Sequence, residues 1–135
     1  MKNAKGVSMI STEEYSTILT ELLDELPEEF YRQLSGGVIV SERTAIPDYA
    51  RGEDLFTMGQ YQNNSGIRQI VMFKGSFDRV YPHVGVAEAK DLLRSILRHE
   101  FRHHMEFLGG IHNSSSLEAE DEREKQAYLA NHTQE

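Results

Sequence analysis

Apolar residues along this chain fall into helical spacing at both ends and into short runs in the middle. Tyr15, Ile18, Leu19, Leu22, Leu23 and Leu26 recur at three- and four-residue steps and predict an amphipathic helix from Ser11 to Leu26. Ser11-Thr12-Glu13-Glu14 supplies a capping box at its start. Pro27 interrupts this pattern, and Glu28 to Leu34 reads as a short second helical turn that Gly36-Gly37 stops. Val38-Ile39-Val40 predicts a short buried strand, and residues 42–52, with Pro47 and several charges, a loop. Phe56 to Gln62 and Arg68 to Lys74 read as two strands of a hairpin, joined by the turn residues Asn63-Asn64-Ser65-Gly66.

Gly75 to Gly85 reads as loop. From Val86 to Leu108, Ala89, Leu92, Leu93, Ile96, Leu97, Phe101 and Leu108 return to helical spacing, and Gly109-Gly110 ends the helix. Ile111 to Ser116 is rich in turn residues. Ser115, with Glu118 at the box position, is placed to cap a last helix running to about Ala130. This order predicts an α+β domain with a small antiparallel or mixed sheet against helices. The expected organisation is a single domain over residues 11–131, with residues 1–10 a disordered lead.

Composition narrows the function. At 135 residues and 39% hydrophobic, the chain can build one core but not two lobes around a deep cleft. A net charge of −8, with Lys and Arg scattered, argues against a nucleic-acid partner. No apolar run approaches membrane-spanning length, so no membrane partner is expected. Met1-Lys2-Asn3-Ala4-Lys5 leads into no apolar stretch, so no signal peptide is expected. With cysteine absent, disulfides and Cys-ligated zinc are excluded, and a cytoplasmic location is expected.

The long helix carries the chemistry. Residues 99–103 read His-Glu-Phe-Arg-His, an HExxH signature. Four residues apart on a helix, His99 and His103 project from one face and can share one Zn²⁺. Glu100 lies about a hundred degrees round, where it can serve a water activated by the metal without being a ligand. His99 and His103 continue the Leu92–Ile96 stripe and Glu100 the Leu93–Leu97 stripe, so all three are expected to face inward. Inward-facing polar groups need partners, and a metal would satisfy the set. Arg102 is expected to point to solvent, because its charge is unfavourable beside a cation. His104 faces away from the pair, as a surface or supporting residue. Tyr61, Tyr81 and Tyr128 are taken as packing residues.

A catalytic zinc takes three protein ligands and keeps one open position. Asp121, Glu118 and His112 compete for the third place. Asp121 falls nearly in line with Leu117 and Tyr128 on the core-facing side of the last helix, and an acid there is what a ligand would look like. An acidic first helical turn, favourable to the helix dipole, is the competing explanation.

Taken in order, several segments resemble the small zincin-like metallopeptidases of bacteria, from Ser11 to about Tyr128. They are Glu13-Glu14-Tyr15 through Leu22-Leu23-Asp24-Glu25-Leu26-Pro27-Glu28-Glu29, Val38-Ile39-Val40, Gly59-Gln60-Tyr61, Ile70-Val71-Met72-Phe73-Lys74-Gly75, and Leu97-Arg98-His99-Glu100-Phe101-Arg102-His103-His104. The resemblance implies a minimal zincin: a mixed sheet, an HExxH helix, and an acidic third ligand from the following segment. It implies one Zn²⁺ per chain held by His99, His103 and Asp121, with Glu100 as general base for hydrolysis of a peptide or protein substrate. It also implies an edge strand that pairs with extended substrate, for which Arg68 to Lys74 is the expected segment. Many such proteins read HExxHxxGxxD. Here Glu106 stands at the glycine position and Gly109 at the aspartate position, and Glu120-Asp121-Glu122-Arg123 resembles the aspartate stretch displaced along the chain. The alternative function is a non-catalytic zinc-binding or adaptor domain. Substrate, cleavage specificity and oligomeric state are not legible in these residues.

Overall fold

Ser11 opens the first helix as the sequence predicts: its hydroxyl accepts from the Glu14 N–H at 3.0 Å, and the Glu14 carboxylate accepts from the Ser11 N–H at 2.8 Å. The computed structural model describes residues 9–52, 54–110 and 117–132. The expected disordered lead falls largely outside these residues. The 111–116 loop, with the Ser115 cap and His112, falls wholly outside them. Helix α1 is Thr12–Asp24, and a 3₁₀ turn follows at Glu28–Tyr31.

Three strands form a mixed sheet in the order β1-β3-β2: β1 is Gly37–Ser41, β2 Gly59–Asn64 and β3 Ile67–Phe73. β2 and β3 pair antiparallel from Gly59↔Met72 to Asn64↔Ile67, through a turn narrower than expected. Asn63 and Asn64 belong to the strand, and Ser65 (φ 52°) and Gly66 (φ 86°) alone make the corner. Two consecutive left-handed residues suit the twist of a two-residue hairpin. β1 pairs parallel with β3, from Gly37↔Gln69 to Ser41↔Phe73. β3 is therefore central, paired on both sides, and cannot be the open edge expected of Arg68 to Lys74. β1 lies at an edge instead of being buried, and Ile39 is 43% exposed.

Side chains alternate across β3, so Ile70 and Met72 face one side and Val71 and Phe73 the other. The first side meets α1 and the long helix in the main core, with Tyr15, Ile18, Leu22, Leu93, Leu97 and Phe101. The second side is covered by Ala45 in a smaller cluster.

The segment after β3, expected as loop, is instead helix α2, Lys74–Val80. Seven residues with a glycine carry little intrinsic helical preference. Tertiary contacts hold them: Phe77 is fully buried edge-on to Tyr15 at 5.7 Å, and the Ser76 hydroxyl accepts from Ala45 N–H and donates to its carbonyl. Gly75 is required here, because a Cβ would sit 2.6 Å from the Arg43 backbone carbon.

Helix α3 spans Val86–Gly109, and Gly110 in the left-handed conformation (φ 66°) ends it. Helix α4 is Leu117–His132. Among the described residues the result is a small α+β domain with a three-stranded mixed sheet and four helices. Among the described residues no helix is long and apolar enough to cross a membrane.

Candidate metal centre

Helix α3 turns two adjoining faces to the protein. Ala89, Leu93, Leu97, Phe101 and His104 lie fully inside. The Leu92–Ile96–His99–His103 stripe runs along the margin, and its members are half-buried rather than core-facing as expected. That margin suits a reactive pair, since it is reachable from solvent yet walled by protein.

The two imidazoles stand with ring centres 5.1 Å apart. Asp121, on the first turns of α4, reaches both: its Oδ2 is 2.8 Å from His103 Nε2 and 3.3 Å from His99 Nε2. Ligand atoms from all three residues lie within 4.8 Å of one another. Four-coordinate zinc with bonds of about 2.0–2.1 Å places neighbouring ligand atoms about 3.3 Å apart, so the donor set fits such an ion. Of the candidates for third ligand, Asp121 is the one the structure brings to the pair. His112 and the Glu118 side chain are not among the described groups.

Glu100 sits beneath this group and is 7% exposed. Burial pushes its carboxyl above the usual carboxylate range, His99 and His103 pull it down, the Asp121 carboxylate adds to the rise, and the Tyr61 backbone N–H stabilises the ionised form. The helix thus offers two imidazoles on its margin and one buried carboxylate between them and the sheet.

Strand β2 forms the opposite wall. The Met58 carbonyl accepts from the Phe73 N–H, so positions 58, 60, 62 and 64 turn their backbone groups to β3. Positions 59, 61 and 63 turn theirs outward, which is how the Tyr61 N–H meets Glu100. Gly59, Gln60 and Tyr61 line a cleft of about 380 Å³ with His99, Glu100, His103 and Asp121. No described strand pairs with this edge of β2.

His104 takes the supporting rather than the surface role expected of it and is fully buried. Its Nε2 lies 2.7 Å from the Arg32 carbonyl, which can only accept, so Nε2 carries the proton. Nδ1 then accepts from the Tyr61 hydroxyl at 2.7 Å, and burial keeps the imidazole neutral by lowering its pKa. The pair ties β2 to α3 directly behind the cleft. The signal for His104 was present, since it continues the Leu97–Phe101 core stripe. Tyr61, taken as packing, is part of that tie. Glu106, at the position where the resemblance has glycine, accepts from the Leu117 N–H with both oxygens, at 2.9 and 3.1 Å, and so caps α4. Arg102 is exposed, as expected, and pairs with Glu106 at 3.3 Å.

Tyr128 is also more than packing. Its hydroxyl accepts from the Arg51 N–H at 2.7 Å and donates to Asp54 at 2.9 Å, while its ring meets Tyr49 edge-on. The far end of α4 is thereby joined to Tyr49, Arg51 and Asp54.

No family model matches this sequence, and no curated protein does. Among solved structures, the fold is similar to a conserved hypothetical protein from Thermus thermophilus, with 28% identity and a TM-score of 0.57. The match covers 74% of this chain and 98% of that one.

Proposed function

We propose that this chain is a zinc-dependent metallopeptidase, with His99, His103 and Asp121 as ligands and Glu100 as general base. The observation that carries the reading is the convergence of three ligand atoms within 4.8 Å beside a buried carboxylate, in a cleft bounded by an open strand edge. When bound, zinc would polarise the substrate carbonyl and make water a stronger nucleophile near neutral pH.

The chain's own residues do the rest. Glu100 takes the proton from the attacking water, and burial suits it to that task by raising its affinity for the proton. As the carbon–nitrogen bond breaks, Glu100 returns the proton to the leaving amine. The Tyr61 N–H holds the carboxylate in place, and the His104–Tyr61 bond holds the strand that carries it. An extended peptide would lie along the outward edge of β2, not along β3, using outward groups other than the Tyr61 N–H, which serves Glu100.

Among the described residues three ligand atoms converge, the number a catalytic zinc takes while keeping a fourth position for water. The remaining reading, a zinc-binding or adaptor domain without turnover, separates on one comparison. Wild type is expected to carry about one zinc by plasma mass spectrometry and to cleave members of a peptide library. Glu100→Gln should keep the zinc and lose cleavage. A zinc-loaded wild type that cleaves nothing would favour the adaptor reading, and wild type no richer in zinc than His103→Ala would remove both.

A further inference from the structure

The sheet has a second edge, β1, on the side away from the candidate metal centre. β1 pairs with β3 alone, and no described strand lies beyond it. The ladder fixes which backbone groups it leaves open. The Phe73 N–H bonds to the Met58 carbonyl, so odd-numbered residues of β3 serve β2 and even-numbered ones serve β1. In a parallel pair, each serving residue bonds to the two neighbours of its partner. Ile70, partner of Val38, thus reaches Gly37 and Ile39, and Met72, partner of Val40, reaches Ile39 and Ser41. Val38 and Val40 turn their N–H and C=O groups away from the sheet, one on each side of Ile39. Lysine, proline or a bulge commonly guards such an edge. From Gln33 to Ser41 there is no charged residue and no proline, and the β1–β3 register runs unbroken from Gly37 to Ser41. Ile39, at the centre, shares the outer face with Val71 and is 43% exposed.

We infer that β1 is a self-association edge: it pairs antiparallel with β1 of a second copy of this chain, about a twofold axis at Ile39. Symmetry identifies the occupant. Rotation about Ile39 sets Val38 opposite Val40 of the second copy, and Val40 opposite its Val38, with both N–H···O=C bonds of each pair made. The two Ile39 residues then meet as the close pair, about 4.5 Å between Cα atoms, and cover each other on the outer face. Charge favours the same occupant. Two copies carrying 22 acids and a net charge of −8 each repel over much of their surface, and β1 joins them where acids are absent. Two three-stranded sheets become one, in the order β2-β3-β1-β1-β3-β2. Its free ends are the two β2 edges, so both candidate metal centres stay open. A contact built on one five-residue strand from each copy falls short of the roughly 1,200 Å² at which stable interfaces begin. The dimer is therefore weak and exchanges with monomer.

Sedimentation velocity of the full chain over about 1–500 µM, the range in which so small an interface dissociates, should show monomer passing to dimer. Ile39→Lys sets two ammonium groups against each other at the axis and should weaken association at least about tenfold. Val40→Pro deletes an outward N–H but no bond of the chain's own sheet and should weaken it similarly, so either variant suffices if the other fails to fold. Neither should change zinc content. A second readout locates the axis. The chain has no cysteine, so Ile39→Cys supplies a single thiol, and the close pair lies within disulfide range. Under mild oxidant it should cross-link at least about tenfold faster than Ser41→Cys, whose thiol faces Gly37 of the second copy and not its own equivalent. A wild type that stays monomeric throughout would overturn the inference and leave the edge to an extended segment of another protein. A dimer that survives both substitutions, or equal cross-linking of the two thiols, would place the contact elsewhere and overturn it as well.

Discussion

Helix α4 should be held in place by metal, and Asp121→Ala should show it. Among the described side chains of this 16-residue helix only Leu117 is buried. A helix so polar gains little from packing. Among its ties are Glu106 at the Leu117 N–H, Asp121 at the two imidazoles, Lys125 over the Tyr49 ring, and Tyr128 at the Arg51 N–H. Opening α4 withdraws Asp121 and leaves two imidazoles, so the open form holds zinc far less tightly. By linkage, free zinc at a hundred times its dissociation constant then stabilises the docked helix by about 2.7 kcal/mol, and slows amide exchange through that opening about a hundredfold. Hydrogen exchange read by mass spectrometry, with zinc and with chelator, measures the ratio on α4 peptides. The Arg51 amide, followed by NMR, is a remote reporter, because its N–H is bonded to the Tyr128 hydroxyl at 2.7 Å. Zinc should protect both in wild type, and neither in Asp121→Ala. If α4 exchanges alike with and without zinc, or if the variant keeps the zinc-dependent protection, Asp121 is not what couples the helix to the metal.

Other substitutions probe the surroundings. Glu100→Gln should stabilise the metal-free protein increasingly as pH rises. Below the unfolded carboxyl pKa both forms are neutral and the gain vanishes. Above it, the folded wild type resists ionising because its pKa is raised, so wild type loses stability through that range while the variant does not. Thermal melts of the two proteins with chelator from pH 4 to pH 8 check the sign, and a difference that does not grow with pH refutes it. His104→Leu strands the Tyr61 hydroxyl and the Arg32 carbonyl and should cost about 2–4 kcal/mol in urea unfolding. A cost under about 0.5 kcal/mol would mean these groups find water instead. Gly75→Ala pushes a methyl against the Arg43 and Glu42 backbone at 2.6 Å and should destabilise by at least about 1–3 kcal/mol. A melting temperature equal to wild type would show that the 42–44 segment yields freely.

Local chemistry made much of this fold legible. The Ser11 box, Gly110 beyond α3 and the Ser65-Gly66 corner each act within a few residues, so a reading along the chain finds them. Features set by distant partners were hidden. Nothing near Lys74–Val80 announces a helix, since its hold is Phe77 against Tyr15 and Ser76 against Ala45. Strand order was likewise out of reach, because β1 skips over β2 to pair with β3, and that crossover moves the open edge from β3 to β2. For the candidate site, the pair His99 and His103 and the inward Glu100 follow from helical geometry alone. Tyr61 could not be chosen from among six tyrosines, because its role depends on which side of β2 faces α3.

The departure after His103 bears on how the Asp121 carboxylate is positioned. In the pattern HExxHxxGxxD a glycine turn brings an aspartate back within a few residues, so the local chain sets its geometry. Here α3 runs on to Gly109, and the carboxylate arrives on a separate helix 18 residues after His103. Precision must then come from docking, and Glu106 supplies it. Glu106, at the position where the resembled pattern has glycine, reaches across to fix the first amide of α4, one turn ahead of Asp121. Glu106→Gly would remove the cap without restoring the turn, because Gly109 and not aspartate stands three residues on. The expected result is weaker zinc retention under chelator challenge, while Glu106→Gln, which still accepts at the Leu117 N–H, should largely preserve it. Equal zinc loss from the two variants would show that the cap does not position Asp121.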